Sequence, residues 1–110
     1  MSKTRTELVV RALEKLKVVG AGQMATARDT AFVDNLVIPV LEDLRESQVY
    51  AWGDTDQIDD AAFEHIADLL ADAAASDFGK ARMGAGDRQV IEARLRRLSP
   101  YGLSGQRLQV

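Results

Sequence analysis

From Leu8 onward the apolar positions recur with the period of a helix. Leu8, Val9, Ala12, Leu13 and Leu16 fall at i, i+1, i+4, i+5 and i+8, while Glu7, Arg11, Glu14 and Lys15 lie off that face. One face of a 3.6-residue helix gives this spacing and an alternating strand does not. Thr4-Arg5-Thr6-Glu7 adds the start signal, a hydroxyl with a carboxylate three residues on, which can satisfy two orphan amides reciprocally. Glu7 and Arg11 stand as an i,i+4 pair on this helix, which is expected to run from Leu8 to Val18.

A second stripe, Phe32, Val33, Leu36, Val37, Val40, Leu41 and Leu44, follows a start at Thr26 with Asp29 in the first turn. Pro39 lies inside it, so a kink or a break near Ile38 is expected. Val49-Tyr50-Ala51-Trp52, closed by Gly53-Asp54, suits a strand fragment or an extended connector. Asp59 is placed to cap a third helix, with Ile58 and Phe63 as a hydrophobic staple and Phe63, Ile66, Ala67, Leu70, Ala71 and Ala74 as the apolar face. Phe78-Gly79 ends it. Beyond the connection Gly84-Ala85-Gly86, Asp87 is expected to cap a fourth helix with Val90, Ile91, Leu95 and Leu98 inward and Arg88, Arg96 and Arg97 largely outward, stopped by Ser99-Pro100. These patterns predict an all-α protein, a small antiparallel bundle of about four helices over residues 1–98, with an extended C-terminal tail over 99–110.

The segment around Gly20 admits a second interpretation. If residues 17–19 formed a strand, Gly20-x-Gly22-x-x-Ala25 would match the glycine fingerprint that cradles a dinucleotide pyrophosphate. The helical period before it argues otherwise, and the residues where a ribose-binding acid would be sought, Val40 to Leu44, read as helix. Gly20 then serves to let the chain leave the first helix in the left-handed conformation.

Composition narrows the picture. At 110 residues the chain has room for one domain and a modest core. It contains no cysteine and a single histidine, His65, so neither a disulfide framework nor thiolate metal ligands are available. No apolar run approaches membrane-spanning length, and residues 1–5 lack the apolar core of a secretion signal, so a soluble protein made inside a cell is expected. Charge is unevenly spread: residues 1–78 hold 7 Lys/Arg against 15 Asp/Glu, whereas 79–110 hold 7 against 2. An acidic body with a basic end points to a charged partner, or to copies of the chain meeting one another.

Asp60, Glu64, Asp68 and Asp72 stand one turn apart on the third helix. Such a row repels itself by a few tenths of a kcal/mol per pair, so it is either a solvated face or calls for a partner outside the helix. His65 lacks a second histidine, a zinc-helix spacing and a nucleophile to serve. No phosphate loop is present, because Gly79-Lys80 and Gly84-Ala85-Gly86-Asp87 have the wrong spacing. No catalytic set assembles, and the expectation is a protein without enzymatic activity, cofactor or metal. Trp52, the only tryptophan, suits either the end of the core or the anchor of a neighbouring subunit.

The first helix with its glycine turn (Leu8 to Gln23, "L-x-x-A-L-x-K-L-x-V" in part), the long second helix, Ile58-Asp59-Asp60-Ala61-Ala62-Phe63 and the alanine-rich helix ending Asp77-Phe78-Gly79 together resemble the small head-tail adaptor proteins of tailed bacteriophages. This connector family includes the tail accessory factors of short-tailed phages, and the likeness covers residues 5–98. It departs at Asp59, where members often have proline. The resemblance implies a structural protein of the virion neck, made in the host cytoplasm, that assembles as a dodecameric ring. The ring binds the portal protein, extends the DNA channel without sequence-specific contact with the DNA, and offers the attachment site for the next tail (stopper) component. It implies that the C-terminal segment reaches the portal, through Tyr101, Leu103, Leu108 and Val110. A ring further suggests that the acidic row either faces Arg88, Arg94 and Arg97 of a neighbour or lines the channel. The competing class is a small helical nucleic-acid-binding regulator that uses Arg88 to Arg97 on phosphates, although no aromatic residue is interleaved there to stack on bases.

Overall fold

A computed structural model describes residues 2–18, 25–50 and 57–98. The protein is all-α, a compact bundle of α1 (Arg5–Lys15), α2 (Ala27–Glu46), α3 (Asp60–Ala74) and α4 (Ala85–Leu98), with a 3-10 turn (Ala75–Phe78) extending α3. The α3 helix is the spine. It packs on α1, α2 and α4, and its buried residues (Ala62, Phe63, Ile66, Ala67, Leu69, Leu70, Ala71, Asp72 and Ala74) occupy more than one face. Four of those nine are alanines, which allow neighbouring helices to approach closely. Leu8, Val9, Ala12 and Leu13 of α1 and Val33, Val37, Leu41 and Leu44 of α2 complete the core, as their period requires.

The helix starts follow local chemistry. The Glu7 amide donates to the Thr4 hydroxyl at 3.2 Å and the Thr4 amide donates to the Glu7 carboxylate at 3.0 Å, closing the expected capping box. Thr26 caps α2 by accepting from the Asp29 amide at 3.1 Å. The third start differs from expectation. Asp59 occupies the cap position without a side-chain cap bond, and residues Ile58–Asp59 (β2) pair antiparallel with Ser2–Lys3 (β1), placing Asp59 opposite Ser2. The staple residues Ile58 and Phe63 are nonetheless both buried. α4 begins at Ala85, two residues before Asp87, and the Arg88 amide donates to the Gly84 carbonyl at 3.1 Å. Gly84 is therefore the residue that opens the helix, and Asp87 is a first-turn charge.

The helix ends depart further from the sequence-based picture. α1 stops at Lys15 and its left-handed residue is Lys17 (φ 60°), three positions before Gly20. The Val18 amide donates to Leu13 at 3.1 Å and the Lys17 amide to Glu14 at 3.0 Å, the paired bonds of a Schellman closure. α2 ends the same way, with Gln48 at φ 57°, Val49 donating to Leu44 at 2.8 Å and Gln48 donating to Arg45 at 3.0 Å. In each closure the next residue, Val18 or Val49, turns back onto the core, which holds a non-glycine residue in a conformation its Cβ disfavours. Lys17→Gly and Gln48→Gly are therefore each expected to stabilise the fold by about 0.5–1 kcal/mol, measurable as a raised urea midpoint with an unchanged slope. Lys17 and Val18 close a helix and form no strand; Val19, Gly20 and Gly22 lie outside the described residues.

α2 runs unbroken through Pro39. Proline removes the bond to the carbonyl of Asn35, but Asn35 and Pro39 are both exposed, so water can hydrate that carbonyl and the expected break does not occur. Val49 and Tyr50 are buried without forming a strand. Trp52 lies outside the described residues, as do Ser99, Pro100 and the whole of 101–110.

Candidate functional site

Packing α1 beside α3 builds a seam of alternating charge. Arg11 and Lys15 stand one turn apart on α1, and Glu64 and Asp68 one turn apart on α3, so the two ladders come into register. Arg11 donates to Glu64 at 3.0 Å through Nε, Lys15 Nζ lies 3.0 Å from Glu64 and 2.9 Å from Asp68, and Arg11 also reaches Glu14 at 3.3 Å. Arg11 pairs with Glu64 and Glu14 and not with Glu7, whose carboxylate is turned back to cap Thr4. At Glu64 and Asp68 the acidic row is thus not a bare solvated stripe: its self-repulsion there is offset by cations of the same chain. A second tie, from Arg5 to Asp34, joins α1 to α2 through Nε at 2.7 Å and Nη2 at 3.2 Å, with the Asp34 carbonyl accepting from Nη2 at 3.0 Å.

The Arg11 hydrogen bond, with those of Lys15, outweighs the opposing effect of burial and holds the Glu64 carboxyl down at about 2. For Lys15, burial disfavours the charge, but hydrogen bonds from its ammonium to Asp68 and Glu64 reverse this and raise its pKa. A depressed carboxyl stabilises the fold fully above its ordinary value of 4.5 and loses that contribution as pH falls towards 2. About half of the Glu64 side chain is exposed, so the screened pair contributes only about 0.5–1 kcal/mol. Between pH 6.5 and pH 3, Glu64→Gln is expected to lose less stability than the unmodified chain by part of that amount, the remainder following as pH falls to 2, in urea unfolding; equal losses would rule the seam out as an acid-sensitive tie.

Asp72, the last of the row, is buried and forms a hub. Its carboxylate accepts from Arg82 Nη2 at 2.7 Å, from Arg82 Nε at 3.3 Å and from the Met83 amide at 2.8 Å, and Arg88 Nη1 stands 3.5 Å away. Burial pushes the carboxyl up, but the hydrogen bonds from Arg82 and Met83, reinforced by the charges of Arg82 and Arg88, bring it below the ordinary value. Arg88 also meets Glu92 at 3.1 Å and Asp43 of α2 at 3.6 Å. It therefore faces inward, contrary to its predicted place, and its partner Asp72 belongs to its own chain.

The remaining α4 residues sort accordingly. Leu95 is buried and Ile91 packs on the core, but Val90 is 50% and Leu98 40% exposed, so these two do not point inward as predicted. Arg94, Arg96 and Arg97 are exposed and make no ion pair among the described residues. Asp60 is likewise exposed and without an ion pair among them. Of the proposed charge set, Glu64, Asp68, Asp72 and Arg88 are engaged within the chain, whereas Asp60, Arg94 and Arg97 are available to something else. The long-range pairings Arg11–Glu64, Arg5–Asp34 and Asp72–Arg82 escaped the sequence, which carries no local signal for them.

An open groove of about 460 Å³ lies along α1 and α3, lined in part by Lys3, Val10 and Phe63; the Lys3 ammonium sits 5.5 Å from the centre of the Phe63 ring. Its acids are committed, Glu7 to the α1 cap and Glu14 and Glu64 to Arg11. His65 is half-buried on α3. Among the described residues no cluster of three metal-binding side chains occurs, and no helix is long and apolar enough to cross a membrane. Fold and surface together define a small all-α domain with one basic, partly apolar helix face. Compared with protein-family models, curated proteins and solved structures, the chain matches none.

Proposed function

We propose that this protein is a structural adaptor, a head-tail connector of a tailed phage or phage-like particle, which forms a ring, binds a portal and performs no reaction. One observation carries the interaction role. The two large hydrophobic side chains exposed among the described residues, Val90 and Leu98, both lie on α4, beside Arg94, Arg96 and Arg97. A helix face that mixes exposed aliphatic residues with unpaired arginines is suited to another protein. The connector assignment adds the resemblance of residues 5–98 to that family. In this proposal the segment 99–110 docks on the portal through Tyr101, Leu103, Leu108 and Val110, Trp52 anchors a neighbouring subunit, and the ring sits at the head-tail joint with duplex DNA passing through.

The three arginines also favour one alternative, binding to nucleic acid. The two are separated by presenting the full chain with a phage portal ring and, separately, with a 30-base-pair duplex over a salt series. The adaptor predicts a stable complex with the portal, lost on truncation after Leu98, and little affinity for DNA. The regulator predicts tight DNA binding that falls steeply with salt and no portal complex; that pair of results would overturn the proposal.

A further inference from the structure

The outward faces of α2 and α4 carry two halves of a contact that one copy does not make. Along α2, Asn35, Pro39, Glu42 and Glu46 succeed one another by four, three and four residues, a single stripe with all four exposed. Its upper part is uncharged; its lower part holds two carboxylates in the last turns of the helix, where the dipole is already negative. Asp43 and Arg45 stand on its flanks. Along α4, Val90, Arg94 and Arg97 form a second exposed stripe. Neither Glu42 and Glu46 nor Arg94 and Arg97 make an ion pair among the described residues.

The two stripes match in register. From Pro39 the carboxylates follow at three and seven residues, and from Val90 the guanidiniums follow at four and seven. At 1.5 Å per residue these are rises of about 4.5 and 10.5 Å against about 6 and 10.5 Å. Laid parallel, the helices set Val90 on Pro39, Arg94 at Glu42 and Arg97 at Glu46. The contact is not available inside one molecule. There, α4 meets α2 through Arg88 and Asp43, and Arg88 lies on the opposite side of α4 from the Val90 stripe.

The geometry points to a head-to-tail contact between copies of this chain, in which Val90, Arg94 and Arg97 of one copy lie along Pro39, Glu42 and Glu46 of the next. Such a contact uses different patches on its two sides, so it repeats and closes into a ring if the rotation allows. It rests on the adaptor proposal and gives that ring its interface.

Because the chain has no cysteine, introduced thiols report the contact cleanly. Under mild oxidation with the portal ring present, P39C mixed with V90C is expected to give a disulfide-linked dimer, and the P39C/V90C double variant a ladder of higher oligomers. R94E/R97E and E42R/E46R should each weaken self-association about tenfold or more, and their mixture should restore it to within about threefold. The four charged positions are exposed and make no ion pair among the described residues, so folding is not at stake, and circular dichroism checks this. If V90C alone cross-links, or if a ring forms on the portal with no 39–90 disulfide and no effect of charge reversal, the contact is overturned while the adaptor proposal stands. If no ring forms at any concentration with the portal, both fall. If charge reversal alters only the retention of duplex DNA, the arginines serve nucleic acid and the contact is overturned.

Discussion

Asp72→Ala is expected to destabilise the protein by about 2–3 kcal/mol, the largest effect of any single charged residue described. Its carboxylate accepts two hydrogen bonds from Arg82 and one from the Met83 amide, and hydrogen bonds to a charged group contribute about 1.5–3 kcal/mol each, net of lost hydration. The full figure is not reached, because about half of Arg82 is exposed and its guanidinium rehydrates when the partner is removed. Arg82→Ala should cost less, about 1 kcal/mol, since Asp72 keeps the Met83 amide and the nearby Arg88. The double variant should then fall short of the sum by about 1 kcal/mol. Urea unfolding of the four proteins measures this cycle, and strict additivity would refute the hub. The pH dependence follows from the lowered carboxyl. Its stabilisation is complete above the ordinary value of 3.8 and is lost as pH falls through the folded value, so Asp72→Ala should also flatten the acid limb of the stability profile.

Leu70→Ala should be more damaging still, about 3 kcal/mol within the usual 2–5. Leu70 is fully buried on α3, the helix that packs on α1, α2 and α4, so a cavity there borders elements that cannot close in together. For a chain of this size the loss corresponds to a fall in melting temperature of about 10–20 °C, visible by calorimetry. Leu98→Ala, at a side chain 40% exposed, is the control and should shift stability by less than about 0.5 kcal/mol. Similar effects at both positions would mean that α3 is not the spine.

How far the sequence reveals this molecule depends on how local each cause is. The stripes on α1 and α2 and the caps at Thr4 and Thr26 are legible because each is decided within one or two helical turns. Ala62 and Leu69 were missed on α3, since a helix covered on several sides buries more than one stripe. α4 was misjudged more seriously. Its four aliphatic residues suggest one inward face, but the ion pair from Arg88 to Asp72 helps to turn the helix so that Val90 faces out. The left-handed residues Lys17 and Gln48 carry no glycine to announce them, and the glycine at position 20 lies beyond the real end of α1. The pairing of Ser2–Lys3 with Ile58–Asp59 joins segments more than fifty residues apart, which no periodicity can reveal.

The docking of α4 chiefly onto α3, through Leu95, Ile91 and the Asp72 hub, sets an order of opening. α1, α2 and α3 each touch the other two, whereas the last helix has a single main neighbour. Its amides should therefore exchange with deuterium through a partial unfolding that leaves the other three closed. The helix is expected to peel away as a unit at a cost below that of unfolding the whole protein.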